Sequence, residues 1–206
     1  MSAKETRKLA WSKLQGNWGT AIGIAVLFML VSGAVAGVPG LGALVSIAVT
    51  GPLTVGLYVS FLKLQRGAKP EIGDLFSGFN DFLNGFVLYL LNEIFTFLWS
   101  LLFIVPGIIK SLSYSMSYYV LAENPGMDQD AARRRSMELM EGNKWRLFCL
   151  RFSFIGWVLL SGLTGGILLI MVVPYMQAAD AEFYRSLVRV PDFEPLGEEP
   201  FEPIEF

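Results

Sequence analysis

From Leu14 to Leu62 the chain carries no Asp, Glu, Lys or Arg. A run of that size is too long for one helix in a water-soluble core, because about 20 apolar residues already cross the hydrocarbon layer of a bilayer. Two spans separated by a break fit it. Val38-Pro39-Gly40 supplies the break, since proline lacks the N–H that a continuing helix needs and glycine permits the turn. Composition points the same way. The 206 residues are 53% hydrophobic and only 17% charged, with a mean hydropathy of +0.51, richer in apolar side chains than a soluble domain. Lys4, Arg7, Lys8 and Lys13 ahead of an apolar run containing Ala34-Val35-Ala36 resemble a secretory signal, but the run is long and a second one follows, so an uncleaved anchor is expected.

The same plan recurs along the chain. Residues 2–15 read as a short basic amphipathic helix at the headgroup level, with Leu9, Trp11 and Leu14 as its apolar side chains. Spans are predicted at about 18–36, 41–62, 83–105, 108–121, 145–163 and 167–184. Gly51-Pro52 is expected to kink the second, and Val105-Pro106-Gly107 to end the third. Gly19 with Gly23, and Gly33 with Gly37, have the spacing that lets helices approach closely. Residues 75–82 suit an interfacial helix. Asp128 is the expected N-cap of a helix whose apolar contacts are Ala131, Ala132, Met137, Leu139 and Met140. After Arg189 the chain holds four prolines and six acids, so 190–206 is expected to be a disordered tail following a single membrane domain, 1–189.

Asn17, Asn84 and Asn143 each precede a turn glycine, Gly40, Gly107 and Gly166, by 23 residues. A triplicated hairpin gives that spacing, and so does any span long enough for a bilayer. Both origins stay open. The fold class expected is therefore an all-α polytopic membrane protein with six transmembrane helices as three hairpins, plus short interfacial helices. Charge orients it. Of 16 Lys and Arg residues, all but Lys110 and Arg151 fall on segments that lie inside when both termini are cytoplasmic. A multi-pass protein of the cell membrane follows.

Several chemistries are excluded. Histidine is absent and Cys149 is the single cysteine, so His-based catalysis, an intrachain disulfide and thiolate or imidazole metal sites lack their groups. No glycine-rich phosphate loop or nucleic-acid surface is present, and no acid–base pair can be placed by spacing. No cofactor, no nucleic-acid partner and no enzymatic activity are expected.

The strings Phe97-Leu98-Trp99-Ser100-Leu101-Leu102-Phe103-Ile104-Val105-Pro106-Gly107-Ile108-Ile109-Lys110, Tyr114-Ser115-Met116-Ser117-Tyr118-Tyr119, Gly142-Asn143-Lys144-Trp145-Arg146-Leu147-Phe148 and Pro174-Tyr175-Met176 resemble a bacterial family of integral membrane proteins. That family is known only as a domain of unknown function, number nine hundred and seventy-five. The resemblance covers about residues 9–184 and extends, more distantly, to the membrane domain attached to some glycerophosphodiester phosphodiesterases. It implies the fold and a lipid setting, and it supplies no catalytic residues.

Two groups of residues are candidates for function. Glu93 lies near mid-span, where an ionisable group is costly and faces protein or water. It is either a proton or cation site or a structural carboxyl paired with Lys110 or Arg151. Lys110, Tyr114 and Tyr118 recur at helical spacing with Ser111 and Ser115 beside them, a seam that lines a cavity or glues helices. Arg151 reads as a snorkelling side chain or a lipid-phosphate contact. Arg133, Arg134, Arg135, Lys144 and Arg146 are candidate contacts for anionic headgroups, or serve topology alone. The expected function is a non-enzymatic structural or regulatory module associated with membrane lipids, a second copy or a membrane protein partner. The alternative is a small transporter or channel using Glu93 and the seam.

Overall fold

The computed structural model describes residues 3–36, 42–102, 104–163, 166 and 168–188. Among them the regular structure is entirely helical. In chain order the α-helices are α1 (Ala3–Leu14), α2 (Trp18–Ala36), α3 (Gly42–Gln65), α4 (Phe82–Leu102), α5 (Ile104–Tyr114), α6 (Ser117–Glu123), α7 (Gln129–Met140), α8 (Lys144–Phe152), α9 (Ile155–Leu163) and α10 (Leu169–Val188). A 3-10 helix, Ile72–Asp81, leads into α4. The expected tail, 190–206, and the turn at Val38-Pro39-Gly40 lie outside the described residues.

Four helical segments are long and apolar enough to cross a membrane: Trp18–Val35, Val45–Gln65, Ile72–Trp99 and Lys144–Gly162. They are not equivalent. Half of the Val45–Gln65 window is buried, against 17% for the first and third and 22% for the last. α3 is therefore the central helix, touched by α1, α2, α4, α6, α10 and the 3-10 helix. Leu53, Leu57, Phe61 and Leu64 of α3 join Leu14, Leu75, Met116, Met140, Leu147 and Leu150 in one buried apolar cluster.

Glycine permits close backbone contacts among the described helices. A Cβ on Gly56 would stand 2.0 Å from the Leu75 carbonyl oxygen, and one on Gly78 would stand 2.0 Å from that of Pro52. A Cβ on Gly51 would lie 2.5 Å from the Gly85 carbonyl oxygen. The 3-10 helix and the start of α4 thus lie backbone to backbone on α3, as small residues allow. Asp74 fastens this arrangement by accepting from Lys63 Nζ at 2.6 Å and from the Glu71 N–H at 2.9 Å. Residues 72–81 are consequently more than an interfacial helix, although Ile72 and Phe76 stay exposed. α3 itself continues through Pro52 as one helix. The glycines singled out by spacing behave differently: a Cβ on Gly19, Gly23 or Gly33 would meet nothing within 4 Å.

Two predicted spans are interrupted. The fourth breaks at Ser115 and Met116, between α5 and α6, and the fifth at Ser153 and Phe154, between α8 and α9. At the first break the Ser136 hydroxyl of α7 donates to the Ser113 carbonyl at 2.7 Å and accepts from the Met116 N–H at 3.2 Å. The backbone groups freed by the break are satisfied there, as an apolar surrounding demands. α5 starts at Ile104, two residues before Pro106, so this proline sits in the first turn where it has no helical donor to lose. Asp128 is the N-cap of α7 as expected, accepting from the N–H groups of Asp130 and Ala131.

Two of the three asparagine entrances are built alike. Gly16 has φ 87° and Gly142 φ 71°, left-handed values that favour glycine. The Asn17 N–H then donates to Leu14 at 2.9 Å while its carbonyl accepts from Ala21 at 3.0 Å, and Asn143 repeats both bonds with Met140 and Leu147 at 3.1 Å. Asn84 departs from this pattern. It lies inside α4, and its Nδ2 donates to both carboxylate oxygens of Asp81 at 3.0 and 3.1 Å.

Candidate functional site

Burial divides the molecule along its length. The large apolar side chains that stay exposed include Met29 and Leu30 of α2, Val45 and Ile47 of α3, Phe97, Leu98 and Leu101 of α4, Ile108 and Ile109 of α5, and Leu159 and Leu160 of α9. These stand toward the turn end of their helices, and a smaller exposed set, Leu9, Trp11, Ile72, Phe76, Phe82, Leu83, Trp145 and Phe152, lies toward the other. The opposite ends meet in a compact region that holds polar networks. Arg66, just after α3, pairs with Glu123 of α6, whose second oxygen accepts from the Tyr184 hydroxyl of α10 at 2.6 Å. Gln65 Nε2 donates to the Ala178 carbonyl at 2.8 Å, and Arg185 donates to the Gln65 carbonyl.

Within this region four helices converge on one polar site. Arg151 of α8 donates from Nε and Nη2 to Asp180 Oδ2 of α10 at 3.2 and 3.0 Å. Tyr58 of α3 and Tyr119 of α6 lie within electrostatic range of both charges. Their rings stack at 4.2 Å, and Tyr184 stacks on the far side of Tyr119 at 5.3 Å. The Tyr119 hydroxyl is buried without a hydrogen-bond partner among the described residues. The pair itself is accessible, with 38% of the Arg151 side chain and 17% of that of Asp180 exposed.

A second polar cluster surrounds the α5–α6 break. Asn92 Nδ2 of α4 donates to the Ser117 hydroxyl at 2.8 Å, and Ser117 donates to the Tyr114 carbonyl at 2.7 Å. The break at Ser115 and Met116 falls between Tyr114 and Tyr118, and Lys110, Tyr114 and Tyr118 have different ring neighbours. Lys110 Nζ lies 5.0 Å from the centre of the Trp99 ring. Tyr114 is buried beside Arg133, whose guanidinium also covers Phe95 at 4.5 Å. Tyr118 sits 5.7 Å from the Tyr58 ring, adjoining the Arg151 site. Glu93 is exposed on α4 and forms no ion pair among the described residues, with either Lys110 or Arg151.

The basic residues also separate. Three consecutive residues on a helix fan out by about 100° each. Arg133 turns inward and binds Asp130 at 2.7 Å, Arg134 faces out, and Arg135 pairs with Glu138 at 3.2 Å. Arg146 donates to Asn143 Oδ1 at 2.6 Å and lies over Phe183 at 5.5 Å. Lys144 and Arg134 form no ion pair among the described residues, nor do Lys4, Lys8 and Lys13 of α1. Sequence spacing had singled out Arg151 and Tyr118 but missed Tyr58, Tyr119 and Asp180. An acid in the polar stretch of α10 was the available signal for Asp180. Nothing local marks Tyr58, which reads as one more aromatic in an apolar helix.

Apolar helices of membrane-crossing length, closed at one end by polar ties, define an all-helical chain of the kind found in membrane proteins. The chain belongs to the family described as Protein of unknown function (DUF975), whose profile matches residues 1–113 and 104–190. No curated protein and no solved structure matches it.

Proposed function

We propose that this is a multi-pass, non-enzymatic module of the cell membrane that associates with lipid through the basic residues at its compact end. Six spans as three hairpins, with both termini cytoplasmic, complete this reading. The observation that carries it is the division of the molecule. Most exposed apolar side chains stand toward the turns, and a second set that includes Leu9, Trp11, Phe82, Leu83 and Trp145 stands at the other end, beside the cations of α1, α7 and α8. Lys4, Lys8, Lys13, Arg134 and Lys144 are the ones free to meet anionic headgroups, each adding about 1 kcal/mol near such a surface. Arg133 and Arg146, by contrast, support the fold through Asp130, Phe95 and Phe183.

The test is recovery of purified protein on vesicles with and without anionic lipid. Replacing Lys4, Lys8, Arg134 and Lys144 by glutamine should reduce the preference for anionic vesicles severalfold and flatten its salt dependence. Unchanged partitioning would sink the reading. A second reading, a small transporter, draws on the exposed Glu93, whose charge is felt by Tyr89 and Tyr118. Under it, Glu93→Gln abolishes a proton- or cation-driven flux in proteoliposomes, and an equal flux in the variant removes Glu93 from the path.

A further inference from the structure

The Arg151 site has unused hydrogen-bonding capacity of a definite kind. Both bonds from Arg151 go to one oxygen of Asp180. Arg151 Nη1 and Asp180 Oδ1 therefore make no hydrogen bond among the described residues, and neither does the Tyr58 hydroxyl. Guanidinium and phenol donors thus stand beside a carboxylate acceptor. Tyr119 stacks on Tyr58 and fixes its ring. Arg7 of α1 reaches the same helix break, donating from Nη1 to the Ser153 carbonyl at 3.3 Å. That cation is engaged with the Ser153 carbonyl and the Phe154 ring, so Arg151 and Asp180 stand as a neutral pair. One cation and one carboxylate side by side match the phosphodiester and the ammonium of a zwitterion better than a phosphate dianion.

The surroundings favour an occupant with acyl chains. Trp145, Phe148 and Phe152 form a ladder on α8, with ring centres 5.3 and 5.8 Å apart, and Trp145 is 72% exposed. Aromatic side chains of this kind collect at the membrane–water boundary. Directly after the break, residues 155–160 of α9 are all exposed, and five of the six are large and apolar. A headgroup held at Arg151 thus has an aromatic shelf at its own level and a hydrocarbon wall beyond it.

We propose that Arg151, Asp180 and Tyr58 bind the headgroup of a zwitterionic aminophospholipid. Arg151 Nη1 and the Tyr58 hydroxyl hold the phosphodiester, Asp180 Oδ1 takes the ammonium, and the acyl chains run along α9. The proposal rests on the lipid-associated reading above and names one lipid and one site for it. Charge-assisted contacts to the phosphodiester are the strong ones here.

Native mass spectrometry of the full chain tests it, with phosphatidylethanolamine or phosphatidylglycerol added to the detergent solution. One phosphatidylethanolamine should be retained per chain, with about tenfold preference over phosphatidylglycerol, the effect of about 1.4 kcal/mol. Arg151→Gln should abolish retention. Tyr58→Phe, which keeps the stacked ring, should weaken it about threefold at unchanged helix content. Wild-type retention in a folded Tyr58→Phe variant would overturn the role of Tyr58, and equal retention of phosphatidylglycerol would overturn the ammonium assignment. Displacement of the lipid by inorganic phosphate would reassign the site to free phosphate and overturn the proposal. An unchanged vesicle preference in the basic-residue variant, with the bound lipid kept, sinks the surface reading and leaves this site standing. The reverse result sinks the site alone.

Discussion

The turn-side halves of the helices and their compact ends are made from similar apolar sequence, yet they solve opposite problems. α9 exposes Ile155, Trp157, Val158, Leu159 and Leu160, while α3 buries Leu53, Leu57, Phe61 and Leu64. Both are Leu- and Val-rich, so hydropathy does not separate them. Glycine and polar ties do. At the compact end, backbones touch through Gly56 and Gly78, and freed or buried polar groups find partners in Ser136, Asp74, Glu123 and Asp180. Toward the turns no such ties are needed where hydrocarbon surrounds the helix. In a bilayer, apolar character alone places a helix, and only fixed polar and backbone contacts hold it against its neighbours.

The largest effect expected from breaking this contrast is at the glycine contact. Gly56→Ala brings a methyl group to 2.0 Å from a carbonyl oxygen, and backbone must move to relieve it. A loss of about 3 kcal/mol or more is expected, read as a lowered thermal midpoint in detergent. A midpoint within experimental error of wild type would mean that α3 and the 3-10 helix do not lie in backbone contact.

Next comes a charge on the turn side. Leu159→Arg puts a cation where the structure exposes leucine, at about 2.5–3.5 kcal/mol against membrane insertion if lipid covers that position. The expected outcome is a reduced membrane fraction after expression. Were the variant to insert normally and gain solubility, α9 would face water.

Ser136→Ala is smaller and more local. It leaves the Ser113 carbonyl and the Met116 N–H without their buried partner, for about 1–3 kcal/mol. Faster hydrogen exchange confined to residues around 113–117 is the signature to seek. Exchange spread evenly over the bundle would assign Ser136 to general packing.

Gly23→Ala should have the smallest effect and the opposite sign. A Cβ there meets open space, so the substitution removes a helix-weakening glycine and stabilises by about 0.5–1 kcal/mol. Destabilisation, or a change of oligomeric state, would show that another surface packs against α2.

Much of the architecture was legible from residues near one another in the chain. The charge-free run from Leu14 to Leu62 holds α2 and all but the last three residues of α3. Asp128 caps α7, and the glycine before Asn17 or Asn143 is left-handed where a helix ends and another begins. Hydropathy, capping and turn chemistry are local properties, which is why sequence alone determined the helices, their apolar character and these connections.

Partnerships were decided elsewhere. Spacing drew Gly19, Gly23 and Gly33 into helix contact and left Gly56 and Gly78 unremarked, because a glycine's use depends on which backbone faces it. Lys110, Tyr114 and Tyr118 share helical spacing but not one helix, since the chain breaks at Ser115, where Ser136 of another helix accommodates the break. Glu93 was a natural partner for Arg151 by charge, yet Asp180 stands nearer in space. Gln65 reaches Ala178, and Arg7 reaches Ser153, across most of the chain. A bare sequence specifies which groups need partners in an apolar medium, but it does not specify which distant helix brings them. Only the packing of α3, α6, α8 and α10 assembles Tyr58, Tyr119, Arg151 and Asp180 into one site.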